Sequence, residues 1–151
     1  MFKKRAGRTT TALMLSALAV AGAGITATAT PAAAATPTCN SNFKWAHGNY
    51  NGRNTFLWLP AYDGYATYCN MSPGASGVEV RMLQDALVKC YGRNITVDGE
   101  YGPATKAALE YAQRAEGIDD DGYYGRDTRE SIKWPRRYSS NSAYTGTCIR
   151  I

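Results

Sequence analysis

Two short stretches of the chain, "DGEYGPAT" at 98–105 and "DGYYGRDT" at 121–128, are near copies of each other. Asp, Gly, Tyr, Gly and Thr fall at the same offsets in both copies, which start 23 residues apart. A repeat of this period is typical of one supersecondary unit that is used twice. An Asp-Gly pair favours a tight turn whose glycine takes a positive φ. Because a helical pattern follows each copy, we interpret each copy as a turn that leads into a helix.

Three helices are predicted around this repeat. "SGVE" at 76–79 has the pattern of a capping box with Ser76 as the cap, and the helix that follows should end at Gly92. The second helix should start near Pro103, because proline suits the first helical position, and end at Gly117. The third should run from about 126 to 133, with Ile132 facing inward. The apolar stripe of the second helix comprises Ala104, Ala107, Ala108, Tyr111, Ala112 and Ala115.

A β-hairpin is predicted ahead of the helices, at 43–60. Asn51-Gly52 is the strongest two-residue turn signal, and pairing outward from it sets Trp45 opposite Trp58. The two tryptophans could form a platform on which sugars stack. The alternative, which we favour, is a small cap whose tryptophans pack on the helices.

The predicted fold is mainly α: a three-helix bundle preceded by a short β-hairpin segment and held by two disulfides. Cys39, Cys69, Cys90 and Cys148 are an even number, and they lack the histidine or C-x-x-C partners of a zinc site. Three pairings are open. We favour Cys69–Cys90 with Cys39–Cys148 slightly over Cys39–Cys69 with Cys90–Cys148.

The N-terminal residues have the pattern of a secretory signal peptide, with a basic start, an Ala/Leu-rich run and a small-residue cleavage site near Ala35. We therefore expect a secreted protein, extracellular or cell-wall associated, without a membrane span. The predicted organisation is a signal peptide at 1–35, a hairpin and disulfide segment at 36–75, a three-helix domain at 76–134 and an exposed C-terminal tail at 135–151. We expect the mature protein to be a monomer.

The net charge argues against nucleic-acid binding. The whole chain has 17 basic and 12 acidic side chains, a formal charge of +5. Four of the basic residues lie in the predicted signal peptide, so the mature chain would carry a charge of only +1. A nucleic-acid-binding domain of this size usually carries a clear basic excess.

The helical region resembles the three-helix type of peptidoglycan-binding domain. That family has the pattern G-x-x-V-x-x-L-Q-x-x-L followed twice by D-G-x-aromatic-G-x-x-T. Both loops match, Gln113 falls at the family's glutamine in the second helix, and Ala112 departs from it where an aromatic is usual. The resemblance implies binding of bacterial cell-wall peptidoglycan, through either its glycan or its stem peptides. The residues that match the first motif are Gly77, Val80, Leu83, Gln84 and Leu87.

The sequence offers little for catalysis. His47 is the single histidine, and no G-x-S-x-G motif accompanies it. Asp98 and Asp121 occupy equivalent positions in the two loops, whereas an acid and a base need contrasting surroundings. "DDDG" at 119–122 lacks the acidic end positions of an EF-hand, which leaves only a loose surface calcium site as an alternative. We therefore expect no enzyme activity, no cofactor and no metal.

The residues predicted to contact ligand lie where the two loops converge. Tyr123 occupies a variable position of the repeat and should face solvent, together with Glu100, Arg126 and Arg114. Tyr101 and Tyr124 should be buried, and the two glutamines should tie loops to helices. The predicted function is a secreted non-catalytic module that binds peptidoglycan. An extracellular protein-interaction or inhibitor protein on the same bundle is the alternative, and a weak wall hydrolase is a third class.

Overall fold

Two β-hairpins enclose three helices along residues 35–151, which are the residues that the computed structural model describes. The predicted signal peptide, 1–35, lies outside the described residues except for Ala35. No helix within 35–151 is both long and apolar enough to span a bilayer. In chain order the elements are β1 (Ser41–Tyr50), β2 (Arg53–Ala61), α1 (Val78–Tyr91), α2 (Pro103–Glu116), α3 (Arg126–Ser131), β3 (Trp134–Tyr138) and β4 (Tyr144–Ile149).

The four strands form one antiparallel sheet in the order β1-β2-β3-β4, so the expectation of a mainly α fold is wrong. The two hairpins meet where Thr55 and Phe56 of β2 pair with Tyr138 and Arg137 of β3. The predicted exposed tail therefore forms the second half of the sheet. Its strands carry Tyr, Thr and Ile, which suit strands, but their partner β2 lies far earlier in the chain and leaves no local pattern.

The first hairpin turns where the sequence predicts. Asn51 and Gly52 have φ angles of 50° and 75°, both positive as a type I′ turn requires, and Tyr50 pairs with Arg53. The turn and its adjoining pair are therefore confirmed.

A β-bulge in β1 then changes the register. Gly48 has a φ of 53°, and its carbonyl accepts a hydrogen bond from Thr55 Oγ1 at 3.3 Å. Beyond this irregularity Trp45 lies opposite Leu57. The predicted pair of Trp45 with Trp58 is wrong, because the bulge shifts the facing residue by one.

Helix α1 begins without a side-chain cap. Its N-cap is Gly77 and not the predicted Ser76, and no side chain bonds the free amides. A Cβ on Gly77 would lie 2.5 Å from the Glu79 carboxylate, so the glycine leaves room for that buried side chain in the first turn. A carboxylate in the first turn is stabilised by the positive N-terminal end of the helix dipole. The left-handed Gly92 ends α1 as predicted.

The ends of α2 agree with the prediction, but its predicted buried face is partly wrong. Pro103 starts α2, left-handed Gly117 ends it, and Ile132 after α3 is buried. Tyr111 was predicted to face inward but is 43% exposed, and its ring lies 4.1 Å from the Arg93 guanidinium. The buried face of α2 consists of Thr105, Ala108, Leu109, Ala112 and Gln113.

The core lies between the sheet and the helices, and both repeat tyrosines belong to it as predicted. Tyr124 packs edge-on against Trp134 at 6.2 Å between ring centroids, and the Trp134 indole donates to the Arg129 carbonyl at 3.0 Å. The start of β3 is thereby fixed to α3. The fully buried side chains with the largest volume include Trp134, Tyr101, Tyr124, Leu57, Leu59, Leu83, Leu87 and Leu109.

Two disulfides are present, but the favoured pairing is wrong and the alternative is correct. Cys39 bonds Cys69, and Cys90 bonds Cys148. The first bridge closes the N-terminal hairpin segment on itself, and the second ties the end of α1 to β4. Cys148 lies in β4, which the sheet holds beside the end of α1, and this position brings it to Cys90.

Candidate functional site

The first copy of the repeat is held by a buried glutamine from α1. The side-chain amide nitrogen of Gln84 lies 2.8 Å from Asp98 Oδ1, 3.0 Å from the Glu100 carbonyl and 3.0 Å from Thr105 Oγ1. Its oxygen accepts the Gly99 amide at 2.8 Å. The tight turn and the start of α2 are therefore fixed to α1 by one side chain.

The second copy is held in the same way by α2. The amide nitrogen of Gln113 lies 3.0 Å from Asp121 Oδ1, from the Tyr123 carbonyl and from Thr128 Oγ1. Its oxygen accepts the Gly122 amide at 2.9 Å. The expectation that the glutamines tie loops to helices is met in both copies, and the repeat in sequence is a repeat of this hydrogen-bond network.

The two loops are joined to each other and to the segment before α1. The Tyr101 hydroxyl of the first loop donates to the Gly122 carbonyl of the second at 2.8 Å. Met71 and Tyr124 exchange backbone hydrogen bonds of 2.9 and 3.0 Å, and the Tyr101 amide donates to the Ala75 carbonyl at 2.9 Å. Both loops are thus rigidly placed, as a preformed binding surface requires.

A cleft of about 530 Å³ lies beside the second loop and α3. Tyr123 contributes an aromatic ring that is 53% exposed, and Arg126 lies in the first turn of α3. The remaining wall is mostly polar. The lining residues are Gln113, Ile118, Asp119, Asp121, Tyr123, Tyr124, Gly125, Arg126, Asp127, Thr128, Glu130 and Ser131.

Charges of both signs face this cleft. Arg126 Nε donates to Glu130 Oε1 at 3.2 Å, and that hydrogen bond holds the pKa of Glu130 below its usual range. Asp121 is exposed but already bonded within the loop, because its Oδ1 accepts the Gln113 side-chain amide at 3.0 Å and the Tyr123 backbone amide at 2.8 Å. An exposed aromatic face beside hydroxyl, carboxylate and guanidinium groups is suited to a polar ligand with some apolar surface.

A smaller cleft of about 330 Å³ lies beside the first loop. Glu100, Arg81 and Asp98 line it. The Glu100 backbone amide and the Gln84 side chain hold the pKa of Asp98 below its usual range. Asp98 is therefore a carboxylate that stabilises its own turn, which does not suit it to donate a proton at neutral pH.

The four residues predicted to contact ligand do not form one cluster. Tyr123 and Arg126 share the larger cleft, whereas Glu100 lines the smaller one. Arg114 lines neither; its Nε lies 2.8 Å from Asp120 Oδ2, and that bond lowers the pKa of Asp120. The structure thus brings two of the four together, and a role for each in binding stays a prediction.

Sequence reasoning missed a second group of exposed rings near the larger cleft. Tyr68 is 49% exposed, and both Arg126 and Arg129 lie over its ring, at 4.9 and 4.7 Å from the centroid. Trp45, which the favoured interpretation packed on the helices, is 38% exposed and lies 5.5 Å from the Arg129 guanidinium. The signal was an unusual number of tyrosines, 11 in the chain, which does not reveal their positions.

Within residues 35–151, no group of three or more His, Cys, Asp or Glu side chains lies close enough together to hold a metal ion. Of the "DDDG" segment, Asp120 pairs with Arg114 and Asp121 with Gln113.

Known proteins are similar to the part of the chain that contains the two repeat loops. Residues 76–132 match the family model described as a putative peptidoglycan binding domain. The N-acetylmuramoyl-L-alanine amidase CwlL of Bacillus licheniformis is 36% identical over 89 residues, which cover 55% of this chain and 24% of the amidase. The zinc D-Ala-D-Ala carboxypeptidase of Streptomyces albus G is 42% identical over 76 residues, covering 48% of this chain and 29% of that enzyme.

Among solved structures, the N-terminal domain of SleB is 35% identical and covers 40% of this chain and 82% of that one, with a TM-score of 0.39. This chain spans less than a third of either curated relative.

The described disulfides are consistent with an extracellular or cell-wall location, which the family also indicates. Residues 76–132, with both repeat loops and both glutamine networks, belong to the peptidoglycan-binding domain family.

Proposed function

We propose that this protein is a secreted module that binds peptidoglycan through the cleft beside the second repeat loop and does not cleave it. The observation that carries the proposal is the exposed Tyr123 ring beside Arg126 and Glu130, on a loop fixed by the Gln113 network. The two curated relatives are named for N-acetylmuramoyl-L-alanine and D-Ala-D-Ala, both of which are components of peptidoglycan.

The shape and chemistry of the cleft support a wall ligand. Peptidoglycan combines sugar rings, peptide amides and free carboxylates. Tyr123 offers a face for a sugar or an alanine methyl, Arg126 offers guanidinium donors, and Ser131 offers a hydroxyl. Because the loop is held by internal hydrogen bonds, little ordering entropy would be lost on binding.

The absence of catalysis is proposed from what the candidate groups already do. Asp98 and Asp121 each accept hydrogen bonds from their own turn and from a buried glutamine. An acid–base pair needs one carboxyl whose pKa is raised, whereas that of Asp98 is lowered. The single histidine, His47, lies in β1 beside the bulge, and neither cleft includes it.

Sedimentation with insoluble peptidoglycan tests both parts of the proposal. Residues 36–151, with disulfides formed, should enter the pellet, and the supernatant should gain no reducing sugars or peptide amines. Tyr123→Ala should weaken binding by about tenfold, as expected for loss of one well-placed aromatic contact. Tyr111→Ala is the matched control, because Tyr111 is similarly exposed but lies on α2 outside both clefts.

Each result has a distinct meaning. Released sugars or amines would contradict the non-catalytic part and favour a wall hydrolase. Protein that stays in solution would contradict peptidoglycan binding and favour a secreted protein as the partner. Equal loss with Tyr123→Ala and Tyr111→Ala would contradict the placement of the site.

A further inference from the structure

Arg129 is a buried cation whose guanidinium forms no ion pair with a carboxylate of residues 35–151. The residue is only 4% exposed, and its Nε has no hydrogen-bond partner among the described residues. No carboxylate within 35–151 forms an ion pair with its guanidinium, although six other ion pairs are present there. A buried charge is costly unless it is paired, so this arrangement requires an explanation.

Two aromatic rings account for part of it. The Arg129 guanidinium carbon lies 4.7 Å from the Tyr68 ring centroid and 5.5 Å from that of Trp45. Trp45 lies on β1 and Tyr68 directly precedes Cys69, so both come from the segment before the family domain. We call Trp45, Tyr68 and Arg129 the Arg129 cluster. Ring faces attract a cation, but they do not satisfy its hydrogen-bond donors.

The neighbouring carboxylate does not complete the pairing. Glu130 is next in the chain, but Arg126 Nε donates to it at 3.2 Å. Glu130 and Arg129 therefore attract each other only through space, without an ion-pair contact, and the planar donors of Arg129 are left for another acceptor.

The Arg129 cluster borders the proposed peptidoglycan cleft. Arg126 lines that cleft and also lies 4.9 Å from the Tyr68 ring centroid, and Glu130 lines it as well. A ligand that extends from the cleft past Arg126 would reach Tyr68 and then Arg129. The two half-exposed rings would cover its apolar part at that point.

We propose that the Arg129 cluster is a subsite for a carboxylate of a peptidoglycan stem peptide. This inference rests on the proposed function. A guanidinium binds a carboxylate through parallel, charge-assisted hydrogen bonds, which supplies the partner that Arg129 lacks. The hairpin segment thereby has a role in binding: Trp45 and Tyr68 extend the surface of the family domain toward the peptide end of the ligand.

The test compares two soluble probes by isothermal titration calorimetry. One is a disaccharide-peptide fragment of peptidoglycan with free carboxylates, and the other is the same fragment with every carboxylate amidated. The wild-type protein should bind the free acid about ten- to a hundredfold more tightly, as expected for a hydrogen bond to a charged group. Arg129→Gln should bind both probes equally and weakly.

Arg93→Gln is the matched control, because Arg93 also lies over an exposed tyrosine, at 4.1 Å from the ring of Tyr111, but lines neither cleft. It should keep the preference for the free acid. Circular dichroism of each variant identifies any that fails to fold, and the comparison of the two probes on the wild-type protein does not depend on a variant.

Equal binding of both probes by a wild-type protein that still sediments with peptidoglycan would overturn the carboxylate subsite and leave the proposed function standing. Failure to bind either probe, again with sedimentation, would overturn it too. Failure to sediment would overturn the proposed function, and this inference with it.

Discussion

Replacing Gln113 with alanine should destabilise the protein more than a substitution at any nearby surface residue. Gln113 is 1% exposed, and its amide nitrogen faces Asp121, Tyr123 and Thr128, each at 3.0 Å. Its oxygen accepts the Gly122 amide at 2.9 Å. Gln113→Ala removes all of these contacts and leaves the Gly122 amide buried without an acceptor.

The magnitude follows from the number of bonds. An amide nitrogen carries two hydrogens, so its three acceptors share two bonds, and the oxygen makes a third. At a net 0.5–1.5 kcal/mol for each bond, the loss is roughly 1.5–4.5 kcal/mol. A central value of about 3 kcal/mol corresponds to a fall in melting temperature of roughly 10–15 °C for a domain of this size.

Urea unfolding of the oxidised protein, followed by circular dichroism, measures the change in free energy. Arg114→Ala is the matched control, since Arg114 is adjacent but forms an exposed pair with Asp120 that should contribute less than about 1 kcal/mol. Gln84→Ala should cost about as much as Gln113→Ala, because Gln84 makes the same contacts in the first copy.

A second variant adds a pH dependence of known sign. Gln113→Glu places a carboxylate where the amide nitrogen now lies 3.0 Å from Asp121 Oδ1. Repulsion should raise the folded-state pKa of the new carboxyl above its unfolded value. The destabilisation relative to wild type should therefore be largest near pH 7 and should shrink as the pH falls through that raised pKa.

A loss below about 0.5 kcal/mol for Gln113→Ala, or a loss no larger than that of Arg114→Ala, would show that the Gln113 hydrogen bonds do not stabilise the loop. A cost of Gln113→Glu that does not change with pH would refute the electrostatic part.

Three further outcomes follow from other contacts. Burial raises the pKa of Glu116, but hydrogen bonds from the Tyr91 hydroxyl and the Arg150 guanidinium outweigh it and leave the pKa below its usual range. Glu116→Gln should therefore destabilise the protein at pH 7, by roughly 1–3 kcal/mol. In urea unfolding, the stability difference between the wild-type protein and the variant should disappear as the pH falls through the lowered folded-state pKa of Glu116. The Cys90–Cys148 bond joins residues 58 apart, so a double alanine variant should lose about 4 kcal/mol by the same measurement. Gly99 has a φ of 86°, and a Cβ there would lie 3.0 Å from the Gly77 carbonyl, so Gly99→Ala should cost about 1–3 kcal/mol of stability. Gly64 has a similar φ of 80° but open space around it, so Gly64→Ala should cost less. Thermal melts of the two variants measure the difference.

The sequence predicts most turns and helix ends correctly, although the Ser76 cap was wrong. The Asn51-Gly52 turn, the start of α2 at Pro103 and the left-handed ends at Gly92 and Gly117 all depend on residue types that favour one backbone conformation. The roles of the two glutamines could also be predicted, because each copy of the repeat contains the same turn residues. Each of these features is set within a few residues of the chain.

The larger errors of the prediction, in the sheet and in the disulfide pairing, depend on partners that are distant in the chain. Strands β3 and β4 join the sheet through β2, and Cys148 reaches Cys90 only because of that pairing. One bulged residue near Gly48 was enough to change the partner of Trp45. The lack of an ion pair at Arg129 could not be predicted from the sequence, because it depends on the burial of Arg129 and on the hydrogen bond between Glu130 and Arg126.

A peptidoglycan site in the larger cleft is tested most directly by an amide chemical-shift map of the oxidised protein, titrated with a soluble disaccharide-peptide from peptidoglycan. We expect saturable shifts concentrated at 119–131, the loop and helix that line the larger cleft. The amides of α1, on the other side of the glutamine networks, should stay nearly unchanged. Shifts centred on the first loop at 98–100, or no shifts in a protein that remains folded, would contradict a peptidoglycan site in this cleft.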